Sequence, residues 1–479
     1  MSNKIRTRFA PSPTGYMHVG NLRTALYAYL ISKNAGGDFI LRIEDTDQER
    51  YVEGAVDIIY STMQQTGLLW DEGPDKGGEY GPYIQSQRQG LYLEYAQKLC
   101  ELGGAYYCFC NKERLEAMKE QEGGIAKYDG LCRSIPLAQA LERVAAGEAF
   151  VIRQKMPTEG ETSFDDAVFG HISIENSELE DQILIKSDGL PTYNFANVID
   201  DHLMAITHVV RGSEYLTSTP KYNLLYQAFG WAPPEYIHCP PVMKDAQNKL
   251  SKRNGDASYQ DLMTKGYLSA AVINYIALLG WSPKGEREKF SLNELAEAFD
   301  ISGISKSPAI FDGEKLRWLN AEYLRELSPE EFHQTALPFI REGTQKAQDT
   351  ALIAACLHQR TEILSEIPAQ LDFIDSQFDY TSEIFVNKKS KSGAESSKLM
   401  LERAIPVLEA LPQWTQEDIH EALINLAAEL EVKNGLLMWP VRVAVSGKLV
   451  TPGGAVEVLG MVGREESLSR LKLGLGKLF

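Results

Sequence analysis

The sequence predicts an α/β protein in which a parallel-sheet domain precedes a long helical region. Residues 5–43 read as strand, loop, helix and strand, the unit from which open parallel sheets are built. From about residue 326 to the end, apolar residues recur at helical spacing. Because 479 residues are too many for one hydrophobic core, we expect two to four domains.

Composition and charge narrow the class of protein. Apolar residues make up 44% of the chain and charged residues 24%, as in ordinary globular proteins. No apolar stretch approaches the roughly 20 residues that cross a bilayer, and six scattered cysteines do not form a disulfide framework. We therefore expect a cytoplasmic protein that does not enter a membrane. A net charge of −18 argues against a general nucleic-acid binder, although local basic patches could hold one folded RNA.

The first segment that indicates a ligand site runs from Phe9 to Asn21 and reads FAPSPTGYMHVGN. Its prolines and Gly15 favour an extended loop, which places His18 and Gly20 at the start of the following helix. Helix N-termini bind phosphate, glycine permits close approach, and a histidine can donate to a phosphate oxygen. The alternative is a turn with a surface histidine. Glu44, at the carboxyl end of the next strand, is also placed for ligand contact.

The second segment is Lys249-Leu250-Ser251-Lys252-Arg253. Lysine is a compact charge on a flexible stem, so two lysines around a serine hydroxyl suit the stabilisation of a triphosphate. Alone, this loop is better explained as a solvated basic loop. Together, the two segments favour a site that binds a nucleoside triphosphate from two sides and transfers a nucleotidyl group.

Four motifs occur in a fixed order along the chain. They are the stretch from Arg8 to Asp47, DGLPTYNFANVIDDH at 188–202, HVVRGSE at 208–214 and KLSKR at 249–253. This set resembles the glutamyl-tRNA synthetases, which are class I aminoacyl-tRNA synthetases. The resemblance extends over essentially the whole chain and is most specific through residue 320. One departure is Asn21, where the general class I signature has a second histidine; the family often varies there, so the resemblance assigns Asn21 no direct catalytic role.

The resemblance implies a domain organisation. We expect an α/β Rossmann-type catalytic domain with an inserted acceptor-stem-binding module, then a helical connecting domain and an all-helical anticodon-binding region. The implied bounds are 1–100 and 186–254 for the catalytic domain, 101–185 for the inserted module, 255–325 for the connecting domain and 326–479 for the anticodon-binding region.

The implied activity is glutamate–tRNA ligation in two steps. L-glutamate attacks the α-phosphate of ATP, which is accompanied by Mg²⁺, to give glutamyl-adenylate and pyrophosphate. The 3′-terminal adenosine of tRNA(Glu) then takes the glutamyl group. No protein nucleophile is needed, so catalysis consists of positioning and charge stabilisation. Whether tRNA(Gln) is also charged stays open, and the family implies a monomer.

The resemblance also implies roles for individual residues. Catalysis is assigned to His18, Lys249 and Lys252, and ATP binding to these three with Gly20, Glu214 and Ser251. Glutamate binding is assigned to Arg8 for the side-chain carboxylate, Glu44 for the ammonium, and Ala10, Ser12, Tyr193, Asn197 and Arg211 around them. Arginine binds a carboxylate through a bidentate fork. Glutamine would leave that charge unpaired, at a cost of roughly 2–5 kcal/mol.

Cys108, Cys110 and Cys132 are the clustered cysteines of the chain. Three thiolates can hold zinc, with Tyr128, a histidine or water as the fourth ligand. The module that the resemblance implies here binds zinc in some relatives. Two interpretations stay open: a structural Zn²⁺ on Cys108, Cys110, Tyr128 and Cys132, or three reduced cysteines.

Three smaller expectations concern helices. The stretch Thr46–Glu49 reads as a helix capping box, and Trp318 is expected in the core. One apolar helix face is expected to consist of Leu352, Ala355, Cys356 and Ile363.

Four other identities fit the sequence less well. A short paralogue that glutamylates a modified tRNA base lacks an anticodon-binding region, and glutaminyl-tRNA synthetase has a β-barrel there. A non-catalytic tRNA-binding protein on the same scaffold would be expected to lose His18, Lys249 or Lys252, all of which are present. A small-molecule nucleotidyltransferase would not need the inserted and C-terminal modules.

Overall fold

The computed structural model describes residues 4–47, 50–121, 127–250, 258–347, 349–376 and 379–479. The chain forms two compact units, the first from Met1–Leu262 and Val272–Asp312, the second from Met263–Ala271 and Gly313–Phe479. The first is α/β and the second is helical, so the predicted fold class is confirmed. The finer division into four domains stays a prediction.

The elements follow one another in chain order. Those of the first unit are β1 (Arg6–Phe9), α1 (Val19–Asn34), β2 (Asp38–Leu41), α2 (Ala55–Gln65), α3 (Gln89–Glu101), β3 (Ala105–Cys108), α4 (Lys112–Gln121), α5 (Leu137–Ala145), β4 (Val151–Gln154), β5 (Glu161–Asp166), β6 (Gly170–Glu175), β7 (Ile183–Ile185), α6 (Tyr193–Leu203), β8 (His208–Gly212), α7 (Thr219–Phe229), β9 (Glu235–Cys239) and β10 (Val242–Met243). Helices α8 (Tyr259–Thr264) and α9 (Ser269–Leu278) belong partly to each unit, and α10 (Leu292–Ala298) and β11 (Ala309–Ile310) complete the first.

Parallel strand pairs bring the predicted site residues to one edge. β1 pairs with β2, and β8 pairs with β9 so that Arg211 lies opposite His238. The N–H of Thr207 donates to the carbonyl of Arg6 at 2.9 Å, which sets the start of β8 beside β1. β5 runs parallel to β9 and forms an antiparallel hairpin with β6. Because parallel strands end at a common edge, the residues at the ends of β1, β2, β8 and β9 can form one site.

Helix α1 is the helix predicted after the first motif. Its buried face includes Leu22, Leu26 and Leu30, at the spacing of one helical face. The chain leaves the helix through Gly36, whose φ of +63° is a conformation that L side chains rarely adopt. The β-α-β unit is therefore confirmed, with α1 starting one residue after His18.

A second, antiparallel sheet of β3, β4 and β7 lies within residues 101–185, where the inserted module is predicted. Its core joins Tyr107 and Ile152 of this sheet to Leu99 of α3 and Phe195 of α6. The sheet matters for the site because Cys108 is the last residue of β3.

In the described residues, the second unit is a bundle of helices whose core includes Phe332, Phe373, Leu401, Leu423 and Val441. Its helices are α11 (Gly313–Glu326), α12 (Pro329–Gly343), α13 (Thr350–Leu357), α14 (Ile367–Asp375), α15 (Ala394–Glu409), α16 (Gln416–Glu429), α17 (Asn434–Ser446), α18 (Ala455–Val462) and α19 (Arg464–Gly476). Across the described part of the chain, no helix is long and apolar enough to span a bilayer.

The predicted capping box is wrong in its described part. Thr46 and Asp47 are not helical, and Gln48 and Glu49 lie outside the described residues. The next helix, α2, begins at Ala55 instead.

The predicted face around α13 is also wrong. Ala355 is exposed, and Ile363 lies beyond the end of the helix, whereas Ile353, Ala354 and Leu357 are buried. The helix is apolar on all sides, so periodicity alone does not select a face.

Trp318 is 47% exposed rather than in the core. Its neighbours Leu316 and Leu319 take the buried face of α11.

Candidate functional site

Arg8 and Asp201 form the centre of a buried ionic network at the end of β1. Arg8 donates to Asp201 through Nε–Oδ1 at 3.0 Å and Nη2–Oδ2 at 3.1 Å. Arg42, which follows β2, donates to the same carboxylate at 2.8 Å and to Oε1 of Glu44 at 2.9 Å. The network therefore links β1 and β2 to the C-terminal end of α6.

Asp200 extends the network on its other side. It accepts hydrogen bonds from Nε of Arg88 at 2.7 Å, from the hydroxyl of Tyr92 at 2.8 Å and from Nε2 of Gln85 at 2.9 Å. The Gln85 amide also approaches Oε1 of Glu44 at 3.4 Å. Every polar atom of the Asp200 carboxylate is thus held in place, which fixes the helix end against β2.

Formal charges in the network balance. Three arginines meet three carboxylates, all of them buried: Arg8, Arg42, Arg88, Glu44, Asp200 and Asp201. Buried charges are tolerated when they are paired and hydrogen-bonded, as these are. The network is therefore a rigid set of paired side chains whose formal charges sum to zero.

The pKa values of two carboxyl groups in the network are shifted in opposite directions. Burial by itself would raise the pKa of Asp201, but the positive charges of Arg8 and Arg42 overcome it and hold that pKa below its usual range. For Glu44 burial is dominant and raises the pKa in spite of Arg42. Burial therefore disfavours the ionised form of Glu44, and a cation bound beside it would favour that form.

Arg211 of β8 is a buried arginine that contacts no carboxylate among the residues that the structure describes. Its Nε donates to Nε2 of His238 at 3.0 Å and its Nη2 to Oγ1 of Thr219 at 2.7 Å. Three aromatic rings lie 4.7–5.4 Å from its guanidinium carbon: Tyr215, Tyr222 and Tyr236. Since its direct partners are uncharged, the guanidinium can take an anionic ligand.

Tyr193 and Asn197 lie on the first two turns of α6. The side-chain amide of Asn197 donates to the carbonyl of Tyr193 at 2.8 Å, and the Tyr193 ring lies 5.4 Å from that of Tyr215. Burial raises the pKa of Tyr193 well above its ordinary value, and the negative charge of Glu44 adds to the effect. Tyr193 therefore shares its surroundings with both Glu44 and the rings beside Arg211.

Ala10 and Ser12 lie in the loop between β1 and α1. Ala10 is half-buried and Ser12 is exposed. The loop is tied to the network because the N–H of Glu44 donates to the carbonyl of Pro11 at 3.0 Å.

His18 links the two sequence motifs. As the N-cap of α1, it accepts the N–H of Gly20 at Nδ1, at 3.0 Å. Nδ1 therefore carries a lone pair, and Nε2–H donates to the carbonyl of Leu250 at 3.1 Å. A Cβ at position 20 would lie 3.3 Å from Nδ1, so glycine leaves room for the imidazole over the helix end.

The remaining predicted ATP contacts are partly described. Lys249 is exposed on the chain between β10 and Leu250, and Glu214 is exposed just after β8. Ser251 and Lys252 lie outside the described residues. The structure thus brings His18 and the Lys249 segment together, and leaves the second lysine of the motif undescribed.

The four predicted zinc ligands lie together. The Sγ atoms of Cys108, Cys110 and Cys132 are within 4.8 Å of one another. Cys110 and Cys132 are 3.6 Å apart, and the Tyr128 hydroxyl is 3.3 Å from Cys108 and 3.5 Å from Cys110. Tetrahedral zinc with Zn–S of about 2.3 Å requires sulfurs about 3.8 Å apart. The donor set and its spacing therefore fit zinc.

Sequence reasoning missed six arginine, aspartate or histidine residues around the site: Arg42, Arg88, Asp166, Asp200, Asp201 and His238. One signal existed for two of them, because Asp200 and Asp201 occupy the last turn of α6, where acids oppose the helix dipole. Two adjacent acids in that position indicate partner cations. Asp166 and His238 meet only because β5 and β9 are neighbours in the sheet, and nothing in the sequence pattern indicates it.

Comparison with known proteins identifies the family. Residues 4–318 match the profile of class I tRNA synthetases (E and Q), catalytic domain, and residues 331–475 match an anticodon binding domain. The glutamate–tRNA ligase of Clostridium botulinum is 60% identical over 481 residues, covering 100% of this chain and 99% of that protein. The Clostridium tetani ligase is 59% identical over 479 residues, covering 99% and 98%.

Solved structures agree with the sequence relatives. A glutamate–tRNA ligase from Elizabethkingia meningosepticum, in complex with its amino acid, has a TM-score of 0.88 at 33% identity and covers 100% of both chains. The synthetase from Elizabethkingia anophelis has a TM-score of 0.88 at 34% identity, covering 99% of this chain and 100% of its own. The chain therefore belongs to the glutamate–tRNA ligases, within the class I tRNA synthetases for glutamate and glutamine.

Proposed function

We propose that this chain activates L-glutamate with ATP and transfers it to the 3′-terminal adenosine of tRNA(Glu), releasing AMP and pyrophosphate. Full-length similarity to glutamate–tRNA ligases supports the activity. Within the site, the observation that carries it is Arg211, buried against neutral acceptors. A desolvated guanidinium in such surroundings is stabilised by an anionic ligand, and a carboxylate matches its planar fork.

The glutamate pocket uses two arginines in different surroundings. Arg8 binds the side-chain carboxylate through the edge of its guanidinium that Asp201 does not occupy, and Arg211 lines the pocket from β8. Glu44 accepts the ammonium group, whose charge stabilises the ionised form of this carboxyl. The pocket wall is completed by uncharged contacts from Ala10, Ser12, Tyr193 and Asn197.

ATP lies between the start of α1 and the chain that follows β10. His18 and Gly20 contact its phosphates, while Lys249 and Lys252 stabilise the departing pyrophosphate. Further contacts come from Glu214 and Ser251. Mg²⁺ accompanies ATP and neutralises phosphate charge when bound.

The reaction balances without a protein nucleophile. In the first step an α-carboxylate oxygen of glutamate bonds to the α-phosphorus while the bond to the pyrophosphate oxygen breaks. In the second, the 2′-hydroxyl of the terminal adenosine attacks the activated carbonyl, loses its proton and displaces AMP. The side chains contribute by holding the reactants in line and by donating to oxygens on which charge develops, as His18 does.

Zinc is proposed as a structural ion held by Cys108, Cys110, Tyr128 and Cys132. The sulfur separations and the nearby phenol support it. When bound there, zinc would cross-link the end of β3 to the turn after Gly130.

Three finer points are also proposed. The enzyme works as a monomer in the cytoplasm, and tRNA(Gln) is a second candidate acceptor. Sedimentation of the purified chain tests the first, fractionation of cells expressing it the second, and the charging assay below the third.

The deciding experiment is aminoacylation with labelled glutamate, ATP and Mg²⁺, using separate transcripts of tRNA(Glu) and tRNA(Gln). Charging of tRNA(Glu) alone would establish a discriminating ligase, and charging of both a non-discriminating one. Charging of neither, with an active control enzyme, would overturn the proposal.

Matched variants tie that activity to the site. Arg211→Leu should abolish glutamate charging, whereas Arg287→Leu, at an exposed arginine paired with Glu294, should charge normally. Equal loss in both variants would contradict the proposed pocket.

A further inference from the structure

A buried chain of hydrogen bonds runs from Asp166 through His238 to Arg211. The Asp166 carboxylate contacts Nδ1 of His238 at 2.7 Å, and Nε2 of the same ring contacts Nε of Arg211 at 3.0 Å. Asp166 and His238 have no exposed side-chain surface. The three groups come from β5, β9 and β8, which are neighbouring strands of one sheet.

The donors and acceptors in this chain have one consistent arrangement. An arginine can only donate, so Nε2 of His238 carries a lone pair and Nδ1–H donates to Asp166. The Thr219 hydroxyl donates to the carbonyl of Tyr215 at 2.9 Å and accepts from Arg211, so it does not supply a proton to the ring. His238 is therefore a neutral imidazole in a single tautomer.

Asp166 fixes that tautomer. Its Oδ1 accepts the N–H groups of Val168 and Phe169 at 2.9 and 2.8 Å, and its Oδ2 accepts the backbone N–H and Nδ1–H of His238. A carboxylate with four donors around it can only accept from the ring. Burial lowers the pKa of His238 despite the acid beside it, and the positive charge of Arg211 lowers it further.

We propose that His238 and Asp166 are positioning residues that aim the Arg211 guanidinium at a carboxylate of the substrate glutamate. The proposal rests on the proposed function, because it assumes that Arg211 lines the glutamate pocket. The imidazole occupies Nε and the Thr219 hydroxyl occupies one N–H of Nη2, which leaves the Nη1 side of the fork to the ligand. The two residues thereby set the affinity for glutamate without touching it.

The contrast with Arg8 explains why an imidazole stands between the acid and the arginine. Asp201 contacts Arg8 directly and takes two of its N–H groups. A carboxylate placed in the same way on Arg211 would offset its charge at contact distance, as Asp201 does for Arg8, and the substrate would meet a less positive guanidinium. With the His238 ring between them, Asp166 still offsets the buried positive charge of Arg211, but it does not contact the guanidinium.

The test compares variants of His238 in the full chain by aminoacylation of tRNA(Glu) at varied glutamate and varied ATP. His238→Phe removes both ring nitrogens and should raise KM for glutamate roughly 10- to 100-fold, the range for losing a hydrogen bond to a buried charged group. KM for ATP should change less than about threefold, since the proposed ATP contacts do not include Asp166, His238 or Arg211. His238→Gln retains an acceptor near Nε2 and should restore much of the glutamate affinity.

Asp166→Asn tests the tautomer with almost no change in volume. An amide nitrogen facing Nδ1 would donate to it, moving the ring proton to Nε2, where it opposes the Arg211 N–H. We expect a rise in KM for glutamate similar to that of His238→Phe. The matched control is His358→Phe, at another buried histidine, which donates to the carbonyl of Leu324 in the helical unit. It should lower Tm and leave KM for glutamate unchanged.

The outcomes separate three cases. An inactive wild-type enzyme would overturn the proposed function itself. Folded variants with wild-type KM for glutamate, or with only kcat and Tm reduced, would overturn the positioning role while leaving the function intact. If His238→Phe does not fold, the Gln and Asn variants decide between the same results.

Discussion

The guanidinium of Arg8 is joined to the carboxylate of Asp201 by two hydrogen bonds of 3.0 and 3.1 Å, although the residues are 193 positions apart. Both side chains are about 95% buried, and Arg42 binds the same carboxylate. Arg8, which the sequence assigns to substrate binding, is thus also part of the buried ionic network. Its position is fixed before any ligand arrives, which reduces the entropy lost on binding.

Asp201→Asn should be strongly destabilising. It leaves Arg8 and Arg42 buried with one carboxylate fewer, and removing one partner of a buried pair costs about 3–5 kcal/mol. Urea unfolding of the variant measures the loss. Asp188→Asn is the control, because Asp188 is exposed and pairs with Lys186 at 3.4 Å, and its other bond, from the N–H of Leu190 at 2.9 Å, can also be accepted by an asparagine oxygen. A variant of Asp201 as stable as that control would show that the network does not hold the fold.

The free energy of unfolding should decrease in acid, because Asp201 becomes protonated there. The pKa of Asp201 is lowered by Arg8 and Arg42, so its contribution is complete above the ordinary carboxyl value of 3.8 and is lost as the pH falls below it. Glu44 acts in the opposite direction, because burial raises its pKa and ionising it costs free energy as the pH rises above 4.5. Urea midpoints between about pH 3 and pH 6 measure both effects. In Asp201→Asn, the loss of stability below pH 3.8 should be shallower; an unchanged slope would assign the acid sensitivity to other carboxyl groups.

The fold was predictable where local signals agree with the final structure. The β-α-β unit and the helical second unit follow from periodicity, prolines and glycines within short windows. The ionic network was not predictable, since its partners come from β1, from the chain after β2, from the turn before α3 and from α6, and they meet only after the sheet forms. Trp318 shows the same limit, because an apolar side chain on a helix does not reveal which face the neighbouring helices cover.

Part of the site was predictable for a different reason. Motif spacing and family resemblance assigned His18, Glu44 and Arg211, but gave no information on what holds them. The groups that tune them, such as Asp166 and His238, carry no sequence signature, and their roles depend on strand neighbours and tautomers that only coordinates supply.

The purified chain should contain about one zinc per molecule if the cysteine cluster is a metal site. Cys132→Ser should lose the metal and unfold at a lower temperature, because the ion then no longer links β3 to the turn that carries Cys132. Elemental analysis and thermal unfolding measure the two effects. Cys100→Ser is the control, since Cys100 is buried away from the cluster and should keep zinc at the wild-type level. If the wild-type protein contains no metal and Cys132→Ser unfolds at the wild-type temperature, the interpretation as three reduced cysteines is favoured.

His18→Ala should slow aminoacylation roughly 10²- to 10³-fold in kcat, the range for removing one donor to a developing negative charge. The substitution also removes the cap of α1, which costs about 1 kcal/mol of stability, so a second variant is needed. His18→Asn supplies a side chain that caps helices well but lacks the reach of an imidazole. It should recover the stability and not the rate, whereas His171→Ala, at an exposed histidine on β6, should change neither. If the asparagine variant turns over at the wild-type rate, the role of His18 is to begin the helix, and the bond from Nε2 to Leu250 only connects the two motifs.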